Sequence, residues 1–371
     1  MEIDAKDSTT LKGMAILAVV LHNYFHLLSP VKEDEFSFDP ARFHALLAAI
    51  RQPTEAVPAL FSYFGHYGVQ IFIFISAYGL AVKYWDDEKS GVAFFWQRIK
   101  KIYPMFVSAM LCWPLFLILR AGPNGAVEFF RECIGSLWLT ILGIQNIVPH
   151  DSLPPVGPWW FLPFILQFYA LWPGLRRCII RTGTVGMVIL SSASLLMTYC
   201  CNDFLSARWH INLLQTPIGH LPEFCLGIAA ARYGFLPSRR VVLAAVGVFA
   251  LSNLDAHFWL LSFSSSLVLM LAVYPRIRGI VRQSPKLSML GTLSLPLFLV
   301  NGFVRRPFVN LVFLNHSWLL ELAFAVTTTV TAVWVAAYLY RIEGVRTGTG
   351  PGILSSLRGF RGRLAPRMAM L

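Results

Sequence analysis

His22 is the residue whose placement calls for a chemical explanation. It lies well past the middle of an apolar run that reads Leu11-Lys12-Gly13-Met14-Ala15-Ile16-Leu17-Ala18-Val19-Val20-Leu21-His22 and continues to Leu28. An ionisable side chain at membrane depth is costly unless it meets a polar cavity or a partner. An imidazole so placed can act as a general base or carry a covalent intermediate; the competing reading is a histidine hydrogen-bonded between helices. Lys12 precedes it by ten residues, about 15 Å of helix at 1.5 Å per residue. His26 follows at i+4, on the same face, where it either orients His22 or reaches the headgroup zone.

Other polar residues each carry two readings. Arg98, Lys100 and Lys101 cluster ahead of Pro104. Arg offers a bidentate fork to phosphate and Lys a point charge, yet the same cluster, and Lys12 with it, serves as a topology determinant. Glu223, beside His220 and behind Pro222, orients a histidine, binds hydroxyls, or complements a helix start. Trp160 and Tyr169, with Trp159 and Trp172, stack on sugar rings or form the interfacial aromatic belt. Gln167 and Asn301 read as interhelical hydrogen-bond partners. Arg305 and Arg306 suit an acidic glycan or a lipid diphosphate, or anchor to headgroups.

The elements that position these residues are helices. Of 371 residues, 56% are hydrophobic and 13% charged, against about 25% charged in soluble domains. Apolar runs of spanning length, about 20 residues, recur throughout and lack the period-two alternation of membrane strands. The class is therefore all-α, a polytopic membrane protein. The net charge of +12 falls mostly in clusters between apolar runs, where it orients helices; the expected partner is the bilayer and not nucleic acid. The six cysteines form no C-x-x-C pair, so neither a metal site nor a disulfide framework is expected. No cleavage site follows the first run, which is expected to stay as a span.

The expected spans are 10–28, 68–84, 104–120, 159–175, 184–201, 213–231, 240–256, 258–274, 287–304 and 317–340, with Ser8 or Thr9 capping the first. Residues 40–51 read as a short interfacial helix. Residues 133–148 are apolar but short, and read as re-entrant or interfacial. Lys6 and Lys12 put the N-terminus in the cytoplasm. If 133–148 does not cross, the later basic clusters also fall inside, leaving Arg305-Arg306 as the exception. That gives about ten transmembrane helices plus one short re-entrant or interfacial segment, with both termini cytoplasmic. Residues 1–345 form a single transmembrane domain and 346–371 a basic, flexible cytoplasmic tail. No internal repeat is evident, which weighs against an inverted-repeat transporter.

Five stretches, in order, resemble the acyltransferase type 3 family of membrane proteins: Leu11–His22, Gly68–Leu80, Arg98–Pro104, the Trp-rich Trp159–Pro173, and His220-Leu221-Pro222-Glu223-Phe224-Cys225-Leu226-Gly227. The likeness covers about residues 10–305. It implies ten helices, both ends cytoplasmic, and transfer of an acyl group, usually acetyl from acetyl-CoA, to a sugar hydroxyl of a cell-surface polysaccharide or its lipid-linked precursor. The family's essential histidine matches His22. Its basic residue at the start of that helix, commonly Arg, matches Lys12, with a spacing one residue shorter than in many members, and its R-x-x-R pair matches Arg98 and Lys101, the second changed to Lys. Two further positions depart from the family pattern: Ile165 stands where many members are acidic, and Asn301 near where many have histidine.

With the N-terminus inside, a donor entering from the cytoplasm would set its charged nucleotide near Lys12 and its thioester near His22, a layout that suits coenzyme A. His22 would then take the proton of the attacking sugar hydroxyl or be acylated itself. Acetyl-CoA is expected as a substrate, with no permanently bound cofactor, and the setting is the bacterial inner membrane. The competing functions are a transporter or flippase of a lipid-linked saccharide, and a structural partner of a polysaccharide synthesis complex.

Overall fold

A computed structural model describes residues 2–29, 31–86, 90–149, 154–315 and 317–346. Every regular element among them is helical. The expected tail lies outside the described residues, apart from Arg346 at the end of the last helix.

Helix α1 (Ala5–Phe25) starts upstream of the expected cap. Asp4, in extended conformation, accepts from the Asp7 backbone N–H, and the Asp7 carboxylate accepts from the Asp4 N–H, a reciprocal capping box. Thr9 and Thr10 are thereby interior, and their hydroxyls donate back to the carbonyls of Ala5 and Lys6. Asp7 also pins the start of α1 to a later helix. Its buried carboxylate accepts from Arg278 Nε at 2.8 Å and from the Tyr274 hydroxyl at 3.0 Å.

After α1 come α2 (Pro40–Ala49), α3 (Pro53–Phe64) and α4 (Tyr67–Tyr84). The second coincides with the short helix expected over 40–51. The third lies where the sequence predicted no element, and it leads through Gly65 and His66 into α4. Helix α5 (Gly91–Leu142) breaks at Gly122, whose φ of 72° lies in the left-handed region. Its two arms fold back on each other: Trp113 meets Phe129 and Phe130, and the Tyr103 hydroxyl donates to the Ile141 carbonyl. The returning arm therefore begins at Pro123, ahead of the expected 133. Arg131 and Glu132, just ahead of the expected segment, are helical and exposed.

Helix α6 (Phe161–Trp209) breaks likewise at Gly183, close to the expected gap between 175 and 184. Residues 213–220 are two 3-10 turns, not the start of a span, and α7 (Leu221–Tyr233) begins after them. Pro217 and Pro222 account for the late start. The rest are α8 (Arg239–Ser252), α9 (Ala256–Trp259), α10 (Leu261–Val281), α11 (Pro285–Thr292), α12 (Ser294–Asn315) and α13 (Trp318–Arg346). The expected span 287–304 is thus split between α11 and α12.

Among the described residues, six helical stretches are long and apolar enough to cross a membrane, as a polytopic protein requires. Helix α1 is not among them, since Lys12, His22 and Asn23 lower its hydropathy. It can afford them because α3, α4, α11, α12 and α13 all pack on it. It is a central strut, its buried row made by Leu11, Ala15, Ile16, Val19 and Val20. At Gly13 and Gly291 the backbones of α1 and α11 come so close that a Cβ on either would overlap a backbone carbonyl of the other helix.

Candidate active site

The strut carries His22 into the protein interior, where it is 6% exposed. Its Nδ1 lies 3.0 Å from the Ser62 carbonyl oxygen. A carbonyl only accepts, so Nδ1 carries the proton and Nε2 of the neutral ring keeps the lone pair. The approach depends on Gly65: a Cβ there would stand 2.5 Å from the His22 Cβ and 2.7 Å from the Ala18 carbonyl oxygen. Gly68 packs one turn further on against Ala15 in the same way.

Two more imidazoles border His22. The His26 ring is 5.1 Å away, and its Nδ1 lies 3.1 Å from the Glu33 carbonyl. The His26 ring therefore packs beside that of His22. The His66 ring, at the start of α4, is 5.7 Å from His22. His66 and Gln70, one turn apart on α4, are buried, and neither side chain finds a hydrogen-bond partner among the described residues.

Helix α12 supplies the opposite wall. Asn23, next to His22, donates to Asn301 Oδ1 at 2.9 Å, while Asn301 donates to the carbonyls of Leu297 and Phe298. One turn on, Arg305 is 7% exposed and donates from Nη1 to the Asn23 carbonyl.

The basic residues gather toward the other end of α1. Lys12 and Lys101 lie within each other's field, as do Lys101 and Arg98. The Arg98 guanidinium rests 4.5 Å from the Tyr84 ring centroid, 5.1 Å from Phe94 and 5.3 Å from Tyr169. Lys12, Arg98 and Lys101, grouped from the sequence, thus lie within one another's field, and three aromatic rings hold Arg98 among them. Tyr169 belongs to this cluster and not with the acceptor group where the sequence placed it.

Glu223 is buried at the start of α7. It accepts from the Ser264 hydroxyl at 2.5 Å, with His220 Nδ1 3.5 Å from its other oxygen, while His220 Nε2 approaches the Leu214 carbonyl. The pair ties α7 to α10. Trp160 is packed edge-on against Phe36 and Phe164, as a core ring. Ile165 is likewise buried core.

Residues 31–39 fold over the end of the site nearest His26. Ser62 donates to the Val31 carbonyl, Asn212 to the Phe36 carbonyl, and Phe36 seats on Trp160. Within this segment burial, with Asp34 and Glu33 nearby, pushes the Glu35 carboxyl up to about 8.

His66, Gln70 and Asn23 were not singled out in the sequence. The signal for His66 was its position between two glycines, Gly65 and Gly68, that bring α1 close. Asn23 was legible as the polar neighbour of His22.

Residues 7–341, nearly the whole chain, match a family model described as an acyltransferase domain. No curated protein and no solved structure matches.

Proposed function

The chain belongs to the acyltransferase type 3 family and is a membrane acyltransferase, and from that premise we propose that it moves an acetyl or other short acyl group from acyl-CoA to a sugar hydroxyl. The acceptor is a cell-surface or exopolysaccharide, or its lipid-linked precursor, and the setting is the bacterial inner membrane with both termini cytoplasmic. The observation that carries the reading is the His22–Ser62 contact. It leaves Nε2 as the basic nitrogen of a buried ring, ready to accept a hydroxyl proton.

The layout of the helices supports the direction of entry. The Lys12, Arg98 and Lys101 cluster suits the phosphates of coenzyme A, and His22 lies about 15 Å further along α1. The acceptor hydroxyl attacks the thioester carbon as its proton passes to His22 Nε2. The departing sulfur takes that proton back, so the histidine ends each turnover unchanged. Asn23, His26 and Asn301 border the reacting atoms and fix the wall around them.

A transporter or flippase of a lipid-linked saccharide is the alternative. Membranes from cells making the native polysaccharide, supplied with acetyl-CoA labelled in its acetyl group, distinguish the two. Label entering glycan or lipid-linked sugar is the expected result. Movement of saccharide with no labelling, from acetyl-CoA or from any of a series of other acyl-CoAs, overturns the reading.

A further inference from the structure

Among the described residues Arg305 is a buried cation without a counter-charge. Its exposure is 7%, no carboxylate there pairs with it, and the charge acting on it is that of Arg306. Nη1 caps the Asn23 carbonyl at the C-terminal end of α1, a role Arg often fills at helix ends. The cap does not consume the group, because Nε is buried and unpartnered. Burying an unpaired guanidinium costs heavily unless something anionic meets it. The charge of Arg305 acts through space on the His22 ring, so an anion held at Nε would lie within reach of the imidazole's field.

We propose that Arg305 is a catalytic residue that holds the oxyanion of the acyl-transfer step. The assignment rests on the acyl-transfer reading of His22. As the acceptor oxygen bonds to the acyl carbon, its proton goes to His22 Nε2 and the carbonyl electron pair moves onto oxygen. That oxygen bears the negative charge, and the unpartnered Arg305 Nε–H is the donor left to receive it. Collapse restores the carbonyl, breaks the carbon–sulfur bond, and returns the proton from His22 to sulfur. A preformed donor in a dry site is where such stabilisation is largest. The sugar-chemistry alternative for the same cation is a phosphate or carboxylate already present on the acceptor.

The test is steady-state transfer by the purified full-length protein, varying both labelled acetyl-CoA and acceptor, for wild type, Arg305→Met and Arg305→Lys. Arg305→Met is expected to lower kcat at least about 100-fold with both KM values within about threefold. Arg305→Lys keeps a point charge that cannot cap Asn23 and reach the oxyanion together, so its kcat should fall at least about tenfold. Thermal unfolding of each variant normalises the rates to folded protein. Unchanged kcat with a raised acceptor KM overturns the proposal in favour of a ground-state acceptor anion. Wild-type kcat per folded molecule in either variant reduces Arg305 to a helix cap and also overturns it. A wild type that transfers no acyl group from any acyl-CoA overturns the underlying acyl-transfer reading, and this assignment falls with it.

Discussion

Gly65 and His22 meet backbone to side chain, with room for no atom between them: a Cβ on Gly65 would stand 2.5 Å from the His22 Cβ. The α3–α4 junction can therefore approach α1 closely enough for the Ser62 carbonyl to reach His22 Nδ1 at 3.0 Å. The tautomer of the ring and the packing of the strut have one cause.

Gly65→Ala should therefore damage activity and stability together. The new methyl would also lie 2.6 Å from the Phe61 carbonyl and 2.7 Å from that of Ala18, both backbone atoms that cannot rotate away. Overpacking of this kind costs about 1–3 kcal/mol. Melting of the detergent-solubilised protein and acyl-transfer rate, measured side by side, should both drop. A variant with wild-type values would show that the close approach is not needed.

The basic cluster should govern the donor and not the chemical step. Lys12→Ala and Lys101→Ala are expected to raise KM for acyl-CoA about tenfold each, the effect of roughly 1.4 kcal/mol from a lost charged contact, with kcat nearly unchanged. Arg98→Lys should be as harmful as Arg98→Ala. Its guanidinium is sandwiched by Tyr84, Phe94 and Tyr169, and an ammonium does not reproduce planar stacking. Donor titrations that leave KM untouched in all of these would return the cluster to a purely topological role.

Residues 31–39 should loosen as pH rises. The Glu35 carboxyl has a reference value of 4.5 and sits at about 8 in the folded segment, raised by burial, with Asp34 and Glu33 adding repulsion. Its folded-state value is the higher, so the fold favours the protonated form. Stability from this group is complete below about 4.5 and is lost progressively up to about 8. Amide exchange in residues 31–39 is expected to accelerate across that window in wild type, beyond the intrinsic pH effect, and to lose part of this excess in Glu35→Gln and the rest when Glu33, whose buried carboxyl is also pushed up to about 8, is changed to Gln as well. An identical excess in all three proteins would locate the titration elsewhere.

Much of this was legible because the chemistry and the hydropathy disagreed. His22 and Lys12 stood out against an apolar run, and burial of α1 by five neighbouring helices is what tolerates them. Arg98 and Lys101 were found from type and spacing. His66 was not, since a lone histidine ahead of an apolar helix looks like any interfacial residue until the fold turns it toward His22. The start of the returning arm in α5 was missed although the break falls at Gly122-Pro123, a Gly-Pro pair followed by Asn124-Gly125 that is itself a turn signal in the sequence. Trp160 and Tyr169 carried the right residue types for sugar stacking, but their neighbours Phe36 and Arg98 come from distant sequence and assign them to a core and to the basic cluster.

The most direct measurement is the rate of acyl transfer with His22 replaced. Wild type, His22→Ala and His22→Gln, purified and shown to be equally folded, would be given labelled acetyl-CoA and the sugar acceptor at saturation. A general base contributes about 100- to 10,000-fold, so both variants should lose at least about 100-fold in kcat while donor binding, measured separately, persists. Transfer within a few-fold of wild type in either variant would contradict the account and remove His22 from the chemistry.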